Sequence, residues 1–313
     1  MNARDVSSAL LQEMTGVVVG QHRLCHMLAV SLISGGHVLI EGAPGLGKTL
    51  AVRAMAKAVD APFKRVQFTS DLMPSDILGT NVFDAEAKAF TLRKGPLFTS
   101  LLLADEINRT PPKTQSSLLE AMEEGKVTID GQTHDLGSLF MVAATQNSIE
   151  YEGTYPLPEA QLDRFMMKLT VTYPDRAEAK RLFSNVQNGF DSHKIAEVKP
   201  VLKPEDILEA RAQALEVRVD DSLLEYLLNI LEATRNDPNI SLGASPRAGI
   251  SLLSAGKVMA ACDGRDYCVP EDFRSIADAV LCHRLILTPD AEVEGLTTAA
   301  AFERALSRVP VPR

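Results

Sequence analysis

Gly42-Ala43-Pro44-Gly45-Leu46-Gly47-Lys48-Thr49 fits the template G-x-x-x-x-G-K-[S/T] of a phosphate-binding loop. Several negative charges on one ligand demand many donors at short range. Glycines let the backbone turn tightly enough to aim successive N–H groups at one point. A helix leaving the loop adds the positive end of its dipole. In this reading Lys48 reaches the β- and γ-phosphates and the Thr49 hydroxyl holds Mg²⁺. The flanks agree: His37-Val38-Leu39-Ile40 reads as a short buried strand entering the loop. Leu50-Ala51-Val52-Arg53-Ala54-Met55-Ala56 reads as a helix leaving it, with Leu50 close to the nucleotide.

Outward from the loop, apolar runs alternate with helical segments as far as about residue 172. The runs are Val38–Ile40, Phe63–Phe68, Leu101–Ala104, Phe140–Thr145 and Met166–Val171. Five such runs separated by helices imply an α/β unit, a parallel five-stranded sheet with helices on both faces. Ahead of it, residues 5–35 read as helix, interrupted at Gly16–Gln21. Behind it, Tyr173–Pro200 holds one helix and a linker. After Pro204 the pattern is all helical, over Glu205–Glu216, Asp221–Asn236, Pro246–Cys262 and Glu271–Leu287. The division is a nucleotide-binding α/β domain at 1–195 and a smaller all-helical lid at 196–313. Two segments interrupt the α/β pattern and read as hairpins, one near 79–93 and one near 126–136. The second carries Asp130-Gly131, a strong two-residue turn signal.

Leu101–Ala104 ends in Asp105-Glu106. Asp105, at the strand end, is placed to hold the Mg²⁺, and Glu106 to polarise the water that attacks the γ-phosphorus. The fourth run ends in Asn147, a neutral amide able to orient that water. Arg164, just before the fifth run, shows no obvious partner within its own nucleotide site. A guanidinium can stabilise spreading phosphoryl charge when a neighbouring subunit supplies it. Arg247 follows Ser245-Pro246 at the start of a lid helix, where it can report on the phosphates.

Composition bounds the class. No apolar run approaches the ~20 residues that span a bilayer, and the N-terminus lacks an apolar signal core, so a cytoplasmic address is the expectation. A net charge of −9 argues against non-specific nucleic-acid binding. Cys25, Cys262, Cys268 and Cys282 form no C-x-x-C pair and read as reduced thiols. His22, Cys25 and His26, and Cys282 beside His283, sit in helical patterns without a second ligand pair, and read as packed side chains rather than a zinc site.

With these residues in place, the chain resembles the MoxR family of AAA+ ATPases over nearly its whole length. Residues 42–49 carry the likeness, as do Phe68–Asp76, Gly95–Phe98, Leu103–Arg109, Leu118–Glu124 and Ala144–Asn147. More particular to the family are Glu152-Gly153-Thr154-Tyr155-Pro156-Leu157-Pro158-Glu159-Ala160-Gln161-Leu162-Asp163-Arg164-Phe165 and Gly243-Ala244-Ser245-Pro246-Arg247-Ala248. The resemblance implies that Gly42, Ala43, Pro44, Gly45, Leu46, Gly47, Lys48 and Thr49 are Walker A, and Asp105 and Glu106 Walker B. It makes Asn147 sensor 1, Arg164 the arginine finger and Arg247 sensor 2. Val19, Gly20 and Gln21 match the adenine-pocket segment, and the two hairpins match the helix-2 and pre-sensor-1 inserts. One departure is Ser148, where the family has Pro. The lid is displaced in this branch, so Arg247 is a candidate for either its own site or a neighbour's, and Arg109 is a second candidate for facing the adjacent subunit.

The family implies ATP and Mg²⁺ as ligands, a homo-hexameric ring, and chaperone-like work on a protein client. It often pairs with proteins bearing von Willebrand factor A domains. Two other readings stay open on sequence: a metal-chelatase-type motor subunit, and an ATP-gated binding scaffold. Nucleic acid and membrane insertion are not expected.

Overall fold

The computed structural model describes residues 1–86, 88–147, 153–187 and 195–312. Ser148 and Glu152 lie outside this set. Five strands form one parallel sheet: β1 (Val38–Gly42), β2 (Phe63–Gln67), β5 (Leu101–Asp105), β8 (Met141–Gln146) and β9 (Met167–Val171), in the order β2-β5-β8-β1-β9. These are the five apolar runs of the sequence. The remaining strands pair apart from it. β3 (Gly79–Asp84) and β4 (Ala89–Lys94) make one hairpin, β6 (Lys126–Ile129) and β7 (Gln132–Asp135) the other. Asn81 Nδ2 donates to Asp130 Oδ2 at 2.8 Å and ties the two together.

Strand alternation divides the core. Val38, Ile40, Leu101 and Leu103 face one hydrophobic layer, while Leu39, Leu102 and Ala104 face the other. The first layer is built with α1 (Ala3–Val17), α2 (His22–Ser34) and α3 (Lys48–Ala58). The second is built with α4 (Pro74–Leu78) and α5 (Pro112–Glu124). Two short helices bracket β9, α6 (Glu159–Leu162) and α7 (Arg176–Gln187).

The helical region expected as the lid holds α8 (Pro204–Glu216), α9 (Asp221–Arg235), α10 (Pro246–Cys262), α11 (Pro270–Arg274), α12 (Ala277–Leu281), α13 (Pro289–Val293) and α14 (Thr298–Ser307). α8 and α10 pack on α1 and α2, so lid and sheet layer share one continuous core. The stretch read as one helix over Glu271–Leu287 is instead broken. It runs through α11, α12, a 3₁₀ turn at Cys282–Arg284 and a two-residue strand, β11 (Ile286–Leu287), paired with β10 (Ile240–Leu242). Burial of His283 and Arg284 against the turn before β9 overrides the helical periodicity.

Candidate functional site

The loop at 42–49 joins the C-terminal end of β1 to α3. A side chain at Gly42 would place its Cβ 2.6 Å from the Val171 carbonyl oxygen, so the close approach of β1 to the end of β9 requires glycine. Gly47, with φ +82°, turns the chain into α3, whose first N–H groups have no partner within the helix. Lys48 donates from Nζ to the Gly42 carbonyl, with the Gln146 carbonyl at 3.4 Å. Burial lowers the Lys48 pKa, and Asp105, Glu106 and Glu41 work against that shift. An ammonium held only by carbonyls, at the mouth of a loop with spare N–H donors, suits a phosphate chain.

Asp105 and Glu106 end β5 next to this loop. Asp105 is buried. Thr145 donates to its Oδ1 at 2.5 Å, and the Thr49 hydroxyl stands 3.5 Å from its Oδ2. Two hard oxygen ligands so close together fit Mg²⁺, which prefers one or two protein oxygens plus phosphate and water. Glu106 adopts a left-handed backbone, φ 57° and ψ 52°, and its N–H is held by Thr145 Oγ1 at 2.9 Å. Such a pose costs a non-glycine residue about 1 kcal/mol or more and persists only where the surroundings impose it. Asn147 is buried beside them, and its Oδ1 accepts no hydrogen bond from the described residues. An orphaned buried amide oxygen at the sheet's C-terminal edge is suited to a ligand or water.

Two residues here had no role in the sequence reading. Arg65 and Gln67 lie two apart on edge strand β2, so they share a face, and Gln67 stands in register with Asp105. Arg65 donates to Asp105 Oδ2 from Nε at 3.1 Å and Nη2 at 2.6 Å. Gln67 donates to Glu106 Oε2 at 2.7 Å, an oxygen also reached by Arg109 Nη1 at 3.2 Å. Arg109 thus contacts Glu106 of its own chain.

A cavity of about 660 Å³ opens on the loop. Val19, Gln21, Leu46 and Leu50 line it, and Leu182 and Phe183 of α7 close it from the other side. Gly20, at φ +75°, borders two neighbouring cavities rather than this one. An apolar slot beside a phosphate loop can take a flat base. The amphipathic pattern of α7 was the signal for the second wall.

Arg164 and Arg247 sit elsewhere. Arg164 precedes the N-terminal end of β9, and β9 runs parallel to β1 with Val38 opposite Met167 and Gly42 opposite Val171. The loop leaves the other end of β1, so about 13 Å of strand separates the two edges. Arg164 does have a partner. Its Nη2 lies 3.2 Å from Glu123 Oε2, and Arg247 Nη1 lies 3.1 Å from Oε1 of the same carboxylate. That partner stands at the far end of α5, outside the nucleotide site, as the chain's own geometry requires. Asp163 adds a second carboxylate, 3.9 Å from Arg247 Nε and 3.1 Å from Nε of buried Arg284. Glu123 and Arg284 were assigned no role from sequence.

Residues 37–167 match the ATPase family associated with various cellular activities (AAA), and residues 232–305 match the AAA lid domain. YeaC of Bacillus subtilis (strain 168) is 46% identical over 302 residues, covering 96% of this chain and 93% of that one. Chaperone MoxR1 of Mycobacterium tuberculosis is 41% identical over 310 residues, covering 96% and 81%. This chain belongs to the MoxR family of AAA+ ATPases.

The likeness to known proteins extends to three dimensions. A solved structure from Cytophaga hutchinsonii ATCC 33406, described as a candidate ATPase, superposes with a TM-score of 0.90 at 41% identity. It covers 99% of this chain and 96% of that one. The MoxR-type core and lid carry no helix, among the described residues, long and apolar enough to cross a membrane. Nor do the described residues group three or more His, Cys, Asp or Glu side chains as a metal cluster.

Proposed function

We propose that this chain hydrolyses ATP with Mg²⁺ at sites shared between adjoining subunits of a homo-oligomeric ring, a hexamer by family habit, and uses the cycle to remodel or mature a protein client. One observation carries the reading. Lys48, Thr49, Asp105, Glu106 and Asn147 stand at one edge of the sheet, while Arg164 and Arg247 share Glu123 at the opposite edge. Neither arginine can serve the phosphates of its own loop from there.

In this scheme the loop N–H groups and Lys48 bind the phosphates, and the cavity beside Leu46 and Leu50 takes the adenine. Thr49 and Asp105 would hold Mg²⁺, which would supply charge neutralisation on the phosphates. Glu106 takes a proton from the attacking water, and Asn147 orients that water through its Oδ1. Arg164 and Arg247 reach the γ-phosphate of the neighbouring subunit. Residues 1–195 act as the nucleotide-binding unit and 196–313 as the lid that moves with the cycle.

The client reading is supported by a relative that carries the name chaperone. The linked hairpins support it too: Phe83 and Phe90 pack edge to face at 5.4 Å and remain exposed, as an element gripping protein would. A protein bearing a von Willebrand factor A domain is the partner class to test first.

The test is ATP turnover by the wild type against Glu106→Gln, measured across protein concentrations that span assembly. The variant should bind nucleotide and lose about 10²–10⁴ in rate. A wild type that hydrolyses nothing when assembled sinks the proposal.

A further inference from the structure

Arg284 is a buried guanidinium, 6% exposed, with no place in the hydrolytic scheme above. It lies in the 3₁₀ turn Cys282–Arg284 of the lid. Its Nη2 donates to the Asp163 carbonyl at 3.2 Å and to the Phe165 carbonyl at 2.9 Å. These carbonyls belong to the two residues on either side of Arg164. Its Nε faces Asp163 Oδ1 at 3.1 Å, and its Nη1 is buried without a hydrogen-bond partner among the described residues. Next to it, His283 Nε2 lies 3.1 Å from the same Phe165 oxygen, so that nitrogen carries the proton.

The Arg164 turn is therefore held by the lid in two ways. His283 and Arg284 grip its backbone, while Arg247 shares the carboxylate that its side chain engages. Filling the same space with an apolar side chain would avoid the desolvation of a buried cation, which is often neutral or stabilising. Burial pulls the Arg284 pKa down to about 10, so the group stays charged at neutral pH. On its other side the same turn borders a cavity of about 540 Å³ lined by Gly20, Gln21 and His283. One short lid segment thus lines a cavity next to this subunit's nucleotide pocket and holds the backbone on either side of the arginine offered to the next.

We infer that Arg284 is a positioning residue, setting through the Asp163 and Phe165 carbonyls the pose in which Arg164 reaches the adjoining subunit's nucleotide. This rests on Arg164 acting between subunits. An arginine displaced by about 1 Å loses on the order of 100-fold in rate, with little effect on nucleotide affinity.

The experiment compares Arg284→Met and Arg284→Lys with the wild type, each alone and mixed with Glu106→Gln subunits, with an Arg164→Ala plus Glu106→Gln mixture alongside. Fluorescent-nucleotide Kd and KM should stay within about twofold of wild type while kcat falls about 10- to 100-fold for Met and less for Lys. Mixing with Glu106→Gln should raise turnover above that of either variant alone, because each impaired partner then supplies the half that the other lacks. If Met does not fold, Lys carries the test, since it keeps a charge but lacks the planar fork that meets Asp163 Oδ1 and the two carbonyls at once. Wild-type kcat in both variants overturns the inference. So does a loss that mixing fails to restore while the Arg164→Ala mixture recovers, which marks a defect inside the variant's own subunit. An inactive wild type, or an Arg164→Ala mixture that never recovers in demonstrated mixed rings, overturns the parent reading and this inference with it.

Discussion

Arg65 binds Asp105 through two nitrogens on a single carboxylate oxygen, Nε at 3.1 Å and Nη2 at 2.6 Å from Oδ2. That oxygen is also the one nearest the Thr49 hydroxyl. A guanidinium and Mg²⁺ therefore compete for one face of Asp105. Arg65→Gln should lower the Mg²⁺ concentration needed for half-maximal ATP-analogue binding about two- to fivefold, the worth of a half-exposed ion pair. A Mg²⁺ titration of a fluorescent ATP analogue measures it.

Gln67 gives Glu106 a neutral donor at 2.7 Å, while Arg109 gives the same oxygen a charged one at 3.2 Å. Without the amide, Glu106 is drawn towards Arg109 and leaves the pose in which it faces the attacking water. Gln67→Ala should lower kcat about tenfold and leave KM nearly unchanged. Steady-state kinetics at saturating Mg²⁺ provide the check.

His37 predicts a pH dependence of stability. Its Nδ1 accepts the Val142 N–H at 3.0 Å and its Nε2 lies 2.9 Å from the Met122 carbonyl, so the ring is neutral. Burial lowers its pKa to about 4 from the ordinary 6.5. The unfolded chain takes up a proton first as pH falls, so stability is full above about pH 6.5 and declines towards pH 4. By pH 5 the loss from this one residue is about 2 kcal/mol. His283, lowered to about 3 by burial and by Arg284, acts in the same direction. Urea midpoints from pH 7.5 to 5 should fall for the wild type, and less steeply for His37→Gln.

Much of the fold was legible because its signals are local. The five strands announce themselves as apolar runs, Asp130-Gly131 as a turn and Ser245-Pro246 as a helix start. The chemistry proposed for 42–49, Asp105 and Glu106 is suggested by the sequence for the same reason: contiguous motifs carry it. Arg65, Gln67, Glu123 and Arg284 are not legible, since their roles come from register between β2 and β5 and from α5 and the lid meeting below the sheet. The broken stretch after Pro270 was read as one helix because its apolar spacing continues through Cys282–Arg284. Only the tertiary contact with Phe165 shows why the helix stops.

The central claim is that a working site needs two chains, one giving Lys48, Asp105 and Glu106 and the next giving Arg164. Mixing Glu106→Gln with Arg164→Ala subunits, each inactive alone, tests it most directly. The two-chain site predicts that ATP turnover returns in mixed rings, peaking near equal proportions. Turnover that stays at the level of the separate variants, in rings shown to contain both, contradicts it.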